Sequence, residues 1–385
     1  MLITRFSYNN KSSNWALEEL VLNEINLLVG ASGVGKTQIL RSIKNLALIA
    51  DGNSIPGIKW EIEFKTLSDD LYIWEGEFSD NNKSDILDSS DINGQFTNVF
   101  ADIVYEKLSL NGEIIIDRNK DQIVYEGKPT IKLSRQQSAL HILKEEEKIK
   151  PSFHCFKKIL YSDHSFQMNN DELPLSIDYI SIDSLVNKYD SLQKIQNSNL
   201  LTVLKLFFIQ FADKNTFNKI KSRFIEIFPQ VQDIKVSPVK IIDERSQSFS
   251  KNRLYIQIKE IGIEHWILPS QISSGMFRTL LQLSELYLCA EGSVFLIDEF
   301  ENSLGVNCIN EITNDILNSN RQLQFIITSH HPYIIDAIGY SNWKLVTRNA
   351  GLIKAQNINK FGIGKSKHSA FMQLIQLEEY RTGIA

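Results

Sequence analysis

The chain has 385 residues, 43% hydrophobic and 23% charged, with 41 Lys and Arg against 46 Asp and Glu for a net charge of −5. This is globular composition, with enough chain to bury a large core and to build more than one ordinary domain. The acidic excess excludes a protein that coats nucleic acid through its overall charge, and leaves a local basic groove as the electrostatic route to DNA.

In chain order, Met1–Phe6 reads as a first strand and lacks the apolar core of a signal peptide. Ile25-Asn26-Leu27-Leu28-Val29 is an apolar run short enough for a buried strand. The next eight residues, Gly30-Ala31-Ser32-Gly33-Val34-Gly35-Lys36-Thr37, fit the phosphate-binding pattern G-x-x-x-x-G-K-[ST]. Ile39, Leu40, Ile43, Leu46, Ala47 and Ala50 then recur at helical spacing, so the motif stands between a strand and a helix, as its mechanism requires. The glycines let backbone N–H groups close on phosphate oxygens, and the helix start, with Gln38, adds positive dipole. In such a loop Lys36 reaches the β- and γ-phosphates and the Thr37 hydroxyl ligates Mg²⁺, so ATP and Mg²⁺ are the expected cofactors.

Gly52, Asn53, Pro56 and Gly57 break the helix. Period-two alternation at Ile58–Phe64 and Leu71–Phe78 predicts half-exposed antiparallel strands. Ser79–Gly94 is polar and reads as a surface loop. Ile103–Leu108, the turn Asn111-Gly112, Glu113–Asp117 and Asp121–Tyr125 complete an antiparallel subdomain over 58–133. From Ser134 the period becomes helical, through Leu140, Leu143, Ile149, Phe153, Phe156, Ile159 and Leu160. Further helical runs cover Leu200–Phe208 and Phe217–Phe228, the last stopped by Pro229. Residues 134–235 are therefore expected to form a helical lobe, with a loop at 162–180. Leu254–Ile258 and Glu264–Leu268 read as strands returning to a core made of 1–133 and 236–385, and the polar stretch Asp243–Arg253 connects them to the lobe.

Ser273-Ser274-Gly275 opens a second helix, with hydroxyls and unpaired N–H groups at a positive helix end. Taken alone, the same residues are an ordinary N-cap. Val294–Ile297 is an apolar strand ending in Asp298-Glu299. Asp298 there can hold Mg²⁺ through water, and Glu299 can take a proton from an attacking water. Gln324–Thr328 is another core strand, running into Ser329-His330-His331-Pro332. His330 is the candidate for contact with the γ-phosphate or the attacking water, and His331 competes for that role.

These motifs, in this order, resemble the soluble ABC-type ATPases of the OLD/RecF/SMC-related branch rather than hexameric AAA+ machines. Ile272-Ser273-Ser274-Gly275-Met276 resembles the signature Leu-Ser-Gly-Gly-Gln. Asp298–Leu304 resembles Asp-Glu-x-Glu-Asn-x-Leu, and Thr328–Pro332 resembles Thr-x-His-x-Pro. The likeness is direct over 1–50 and 250–348 and looser between. It implies an α/β P-loop NTPase fold: an ABC-type ATPase head with an inserted antiparallel β-subdomain and a helical lobe. It implies that Gly30, Gly33, Gly35, Lys36 and Thr37 bind phosphates and Mg²⁺, with Ala31, Ser32, Val34 and Gln38 completing the loop. Asp298 holds Mg²⁺, Glu299 is the base and His330 the switch histidine. Ser273 and Gly275, with Ser274 between them, contact the γ-phosphate held by a second protomer. A homodimer or higher homo-oligomer is therefore expected, since one chain would hold no complete site. Bacterial anti-phage systems of Septu type pair such ATPases with a separate nuclease or toxin, so a partner effector is expected. The alternative is a RecF/SMC-like ATPase acting directly on DNA.

The chain also departs from the pattern. Gly305 stands where transporter ATPases carry a D-loop aspartate and this branch often has histidine. The adenine-stacking candidates are Tyr8 and Phe6, and the Q-loop candidates are Gln136 and Gln137. Arg278 reads either as a phosphate or partner contact or as a surface salt bridge. His154, Asp163 and His164 lie near Cys155 without metal-ligand spacing. The lysines of Lys144–Lys158, mixed with glutamates, read as a solvated helix face or a nucleic-acid contact. The stretch after His331 is short for a Toprim nuclease of the OLD type. The three dispersed cysteines, Cys155, Cys289 and Cys308, predict reduced thiols in a cytoplasmic protein. No apolar run approaches the ~18 residues of a membrane span, so no membrane partner is expected.

Overall fold

Strands β1 (Leu2–Asn10), β2 (Trp15–Val21) and β3 (Ile25–Val29) open the chain, and the P-loop helix Lys36–Ala50 follows. The computed structural model describes residues 1–80, 100–162, 179–241, 251–302, 304–363 and 367–384. The chain divides into two units, one of Met1–Ser162, Glu291–Phe300 and Arg321–Ala385, the other of Asp163–Ala290 and Glu301–Asn320.

The first unit is built on one sheet, with fourteen strands among the described residues. Beyond the P-loop helix it adds β4 (Ile58–Lys65), β5 (Leu71–Phe78), β6 (Ile103–Leu110), β7 (Glu113–Asn119), β8 (Ile123–Tyr125), β9 (Lys128–Pro129) and β10 (Ile159–Ser162). The second unit supplies a hairpin, β11 (Val231–Ile241) and β12 (Lys251–Glu260). The first resumes with β13 (Val294–Ile297), β14 (Gln324–Thr328), β15 (Trp343–Asn349) and β16 (Leu352–Asn357).

The sheet has two halves of different chemistry. At one side β10, β13, β14, β3 and β15 run parallel in that order. β13 and β14 are buried at every position, the pattern of strands covered on both faces. At the other side, from β2 outward through β1 and β4 to β9, every pairing is antiparallel. There one face is buried, through Ile58, Trp60, Ile62 and Phe64 of β4 and Tyr72, Trp74 and Phe78 of β5. Phe156 packs edge-on against Phe64 and Trp74, which brings the short helix Lys150–Phe156 onto this sheet. The buried Glu106 carboxylate accepts from Trp74 Nε1 (2.9 Å), from the Ser138 hydroxyl and from Ala139 N–H (2.7 Å). Its partner Arg118 donates to the carbonyls of Gln137 (2.6 Å) and Ser134 (2.7 Å). The couple ties segment 134–139 to the antiparallel half.

In the second unit, helices Thr202–Ala212 and Lys214–Ile227 pack on helix Ser274–Leu288. Their interior is aromatic and aliphatic: Leu206, Phe207, Phe208, Ile220 and Phe224. Arg223 bonds Asp315 (3.0 Å) and Glu311 (2.7 Å) of helix Val306–Leu317, joining it to Lys214–Ile227.

The two units divide the chain differently from the expected core of 1–133 and 236–385 and lobe of 134–235. Residues 134–162 group with the sheet. Ile159 and Leu160, expected in a helix, lie in β10, because Val294–Ile297 offers a parallel partner far away in sequence. Residues 236–290 group with the helices. β11 begins at Val231, inside the expected helical lobe, and its partner β12 leads toward helix Ser274–Leu288. The strand expected at Glu264–Leu268 reduces to a single bridge between Ile267 and Ile258. Of the expected loops, residues 81–94, 163–178 and 243–250 lie outside the described residues, as do Asp163 and His164.

Candidate nucleotide site

The site forms where four parallel strands end. β3 ends at Val29, and loop 30–35 leads into the helix that starts at Lys36. Gly33 and Gly35 sit at φ +83° and +103°, in the left-handed region. A Cβ on Gly35 would come within 2.4 Å of Ile353 Cδ1, so both conformation and space require glycine there. Gly35 has no side chain to cap the helix, which leaves the first N–H groups for an anion. Lys36 is buried, and its ammonium donates to the carbonyls of Gly30 (2.9 Å) and Ala31 (2.8 Å), across the loop.

The acidic pair comes from the end of β13, and β14 lies between β13 and β3. Thr328, the last residue of β14, joins the two acidic residues. Its hydroxyl donates to Asp298 Oδ1 (2.6 Å) and accepts from Glu299 N–H (2.8 Å). Phe300 N–H bonds the Thr328 carbonyl (3.0 Å), and the Phe300 side chain is fully buried. Between them Glu299 is held at φ +45°. A non-glycine residue pays about 1–2 kcal/mol for that conformation, so the turn is fixed by its neighbours against its own preference.

A cleft of about 320 Å³ gathers Ser32, Gly33, Gly35, Lys36, Thr37 and Gln38 of the loop with Asp298, Glu299, Thr328 and His330. Arg348 of β15 completes its walls. Gly30, Ala31 and Val34 are not among these walls. Val34 is buried, and a Cβ on Gly383 would lie 2.4 Å from its Cγ1, so Gly383 closes the back of the loop. The Thr37 hydroxyl and the Asp298 carboxylate are hard oxygen donors in one cleft, a set that fits Mg²⁺.

In the second unit, Ser273 caps helix Ser274–Leu288 through Met276 N–H (3.3 Å). Ser273 and Ser274 are exposed and Gly275 is half-buried, so the helix tip is open to a ligand. Gly305 is the N-cap of helix Val306–Leu317.

Other sequence candidates lie elsewhere. Phe6 and Tyr8 are core residues at 1% and 2% exposure, so neither can stack on adenine. Tyr8 oxygen accepts from Asn45 (3.0 Å), and burial pushes its phenol up to about 12. Gln136 and Gln137 are not among the cleft walls, and the Arg118 couple holds their segment. Arg278 is buried at 4%, which rules out a surface salt bridge. Of the five lysines of 144–158, three pair with acids, Lys150 with Glu145 (3.4 Å), Lys148 with Glu126 and Lys157 with Asp51, while Lys144 lies over the Phe153 ring and Lys158 donates to the Glu291 carbonyl (3.0 Å). His154 is exposed, and the three cysteines are free and buried. Sequence reasoning gave no role to Thr328, though it begins a quoted motif, and missed Arg348 and Gly383, which belong to none.

Over residues 25–336 the chain matches the family described as "AAA domain, putative AbiEii toxin, Type IV TA system". The chain belongs to this family. Among solved structures it is similar to an SMC head bound to the C-winged helix domain of ScpA. That likeness has 12% identity, covers 94% of this chain and 99% of that one, and has a TM-score of 0.51. It is also similar to the SMC head domain of Thermotoga maritima, at 12% identity, 93% and 99% coverage and a TM-score of 0.41. A third likeness is to the Smc head with an extended coiled coil bound to the C-terminal domain of ScpA derived from Pyrococcus furiosus. It has 14% identity, 97% and 99% coverage and a TM-score of 0.44. No curated protein matches the sequence. The fold is thus the α/β P-loop fold expected, and the chain is a P-loop ATPase of the AAA type with a head-like architecture. No helix among the described residues is long and apolar enough to cross a membrane.

Proposed function

We propose that this ATPase binds and hydrolyses ATP with Mg²⁺ in the P-loop cleft, and that two copies close head-to-tail over two nucleotides. Closure then controls a separate effector protein, a nuclease or toxin, in anti-phage defence. The observation that carries the catalytic part is the cleft itself, which collects Lys36, Thr37, Asp298, Glu299 and His330 from separate strand ends. Lys36 exchanges its loop carbonyls for β- and γ-phosphate oxygens. Thr37 and Asp298 would hold Mg²⁺, which supplies neutralising charge on those oxygens when bound. Glu299, clamped by Thr328, takes the proton of the attacking water, and His330 contacts the γ-phosphate end. Ser273–Gly275 of the second copy completes each site with its open helix tip. The effector reading is supported by the family's description, which names a toxin–antitoxin system.

The test is Glu299→Gln. It keeps the side-chain shape and removes the base. Expected are retained ATP binding, turnover reduced by roughly 100-fold or more, and an ATP-dependent dimer that accumulates on a sizing column. Parental turnover in this variant would overturn the base assignment. Turnover stimulated by duplex DNA, lost with rising salt, would replace the effector reading by direct action on DNA.

A further inference from the structure

The order of strands gives the cleft a direction. Asp298 and Glu299 follow β13, His330 follows β14, and both strands lie on one side of β3. β15 lies on the other side of β3, parallel to it, and Arg348 stands near its carboxyl end. A triphosphate lying along the loop with its γ end at Glu299 must run toward β15, so its nucleoside end emerges beside Arg348.

Arg348 is fixed in that place. Its Nη1 donates to Gln38 Oε1 (3.2 Å) and its Nε to the Ala350 carbonyl (2.8 Å). A guanidinium has five N–H donors, so these two bonds among the described residues hold it and still leave capacity for a ligand. Its backbone N–H donates to the Gly383 carbonyl (2.7 Å). Gly383 also packs on Val34 and Ala31, so one residue ties the Arg348 strand end to the back of the P-loop.

Among the described residues the cleft has no aromatic platform. No Phe, Tyr or Trp is among its described walls, and Phe6 and Tyr8 are spent in the core. A guanidinium is planar, permanently charged and weakly hydrated, and it stacks on flat π systems while its edge donates hydrogen bonds.

We propose that Arg348 recognises the nucleoside end of the bound nucleotide, its guanidinium stacking on the purine base in place of an aromatic ring. The proposal rests on the reading of the cleft as a triphosphate site. A pair of ligands separates the two: ATP, and inorganic tripolyphosphate, which has the phosphates and no nucleoside. Affinities for both are measured by calorimetry on the full chain and on Arg348→Ala, Arg348→Lys and Lys36→Ala. Arg348→Ala is expected to weaken ATP about tenfold, the scale of one desolvated cation–π contact, and to leave tripolyphosphate unchanged. Arg348→Lys, which keeps charge without the plane and preserves more of the local packing, is expected to behave in the same way. Lys36→Ala is expected to weaken both ligands. Equal weakening of both ligands by Arg348→Ala makes the residue a phosphate contact or a scaffold and overturns the proposal. So does unchanged ATP affinity in Arg348→Ala, or parental ATP affinity in Arg348→Lys. If Lys36→Ala leaves both ligands unaffected, the triphosphate reading itself fails.

Discussion

At the scale of single residues, the proposed chemistry turns on one hydroxyl. The Thr328 hydroxyl donates a hydrogen bond to Asp298 and accepts one from the backbone N–H of Glu299, a residue held in left-handed backbone. Removing that hydroxyl takes this acceptor from the part-buried Glu299 N–H and lets the strained turn relax. Thr328→Val keeps the volume and deletes both bonds. Turnover should fall by at least an order of magnitude, because the base no longer faces the water at the right angle. Stability should fall by about 0.5–1.5 kcal/mol, the usual net worth of a part-buried hydrogen bond. Thr328→Ser keeps the hydroxyl and should restore turnover even where its packing is poorer. Single-turnover rates and chemical denaturation of the three proteins check this. Equal rates in all three would show that Glu299 is placed by something else.

At the scale of elements, what was legible in the sequence was what local pattern controls. The P-loop, its strand and helix, the alternating β4 and β5 and the acidic end of β13 each carry their signal within a few residues. What depends on a distant partner was not legible. Ile159-Leu160 reads as helix until β13 pairs with it. Phe6 and Tyr8 look available until the core closes over both and Asn45 of the P-loop helix donates to the Tyr8 oxygen. Arg348 has no motif, and only the placing of β15 beside β3 brings it to the cleft. Gly383 is the same kind of case. It ends the helix Glu378–Thr382 at φ +75°, and its missing side chain lets that helix end sit against Val34. Gly383→Ala should cost about 1–2 kcal/mol from backbone alone. It should also displace the loop, since its Cβ would lie 2.4 Å from Val34 Cγ1. The expected result is a lower melting temperature together with weaker binding of both ATP and tripolyphosphate. A drop in melting temperature with unchanged affinity would mean that the helix end supports the fold and not the loop.

At the scale of the whole molecule, the proposed reading makes two copies share each site, and sharing can be tested by complementation. Lys36→Ala disables the cradle. Ser273→Asp disables the tip in a way that spares the fold: aspartate caps a helix as well as serine does, so the Met276 N–H keeps an acceptor while a negative charge faces the phosphate. Each variant alone should be inactive. In a two-fold dimer formed from an equal mixture, half the dimers pair one variant with the other, and each such dimer has one intact site out of two. If the sites fire independently, about a quarter of the parental turnover returns. Independence is the expectation of the proposed reading, because Gly305, an N-cap with no side chain, stands where the sequence resemblance puts the D-loop aspartate of the transporter ATPases. Subunit exchange is confirmed first with differently tagged copies. Recovery near one quarter then supports both the shared site and its lack of coupling. No recovery, in a mixture that still forms an ATP-dependent mixed dimer, would mean that the sites fire only as a pair. No mixed dimer at all would remove the second copy from the mechanism and return the Ser273 tip to a plain helix cap.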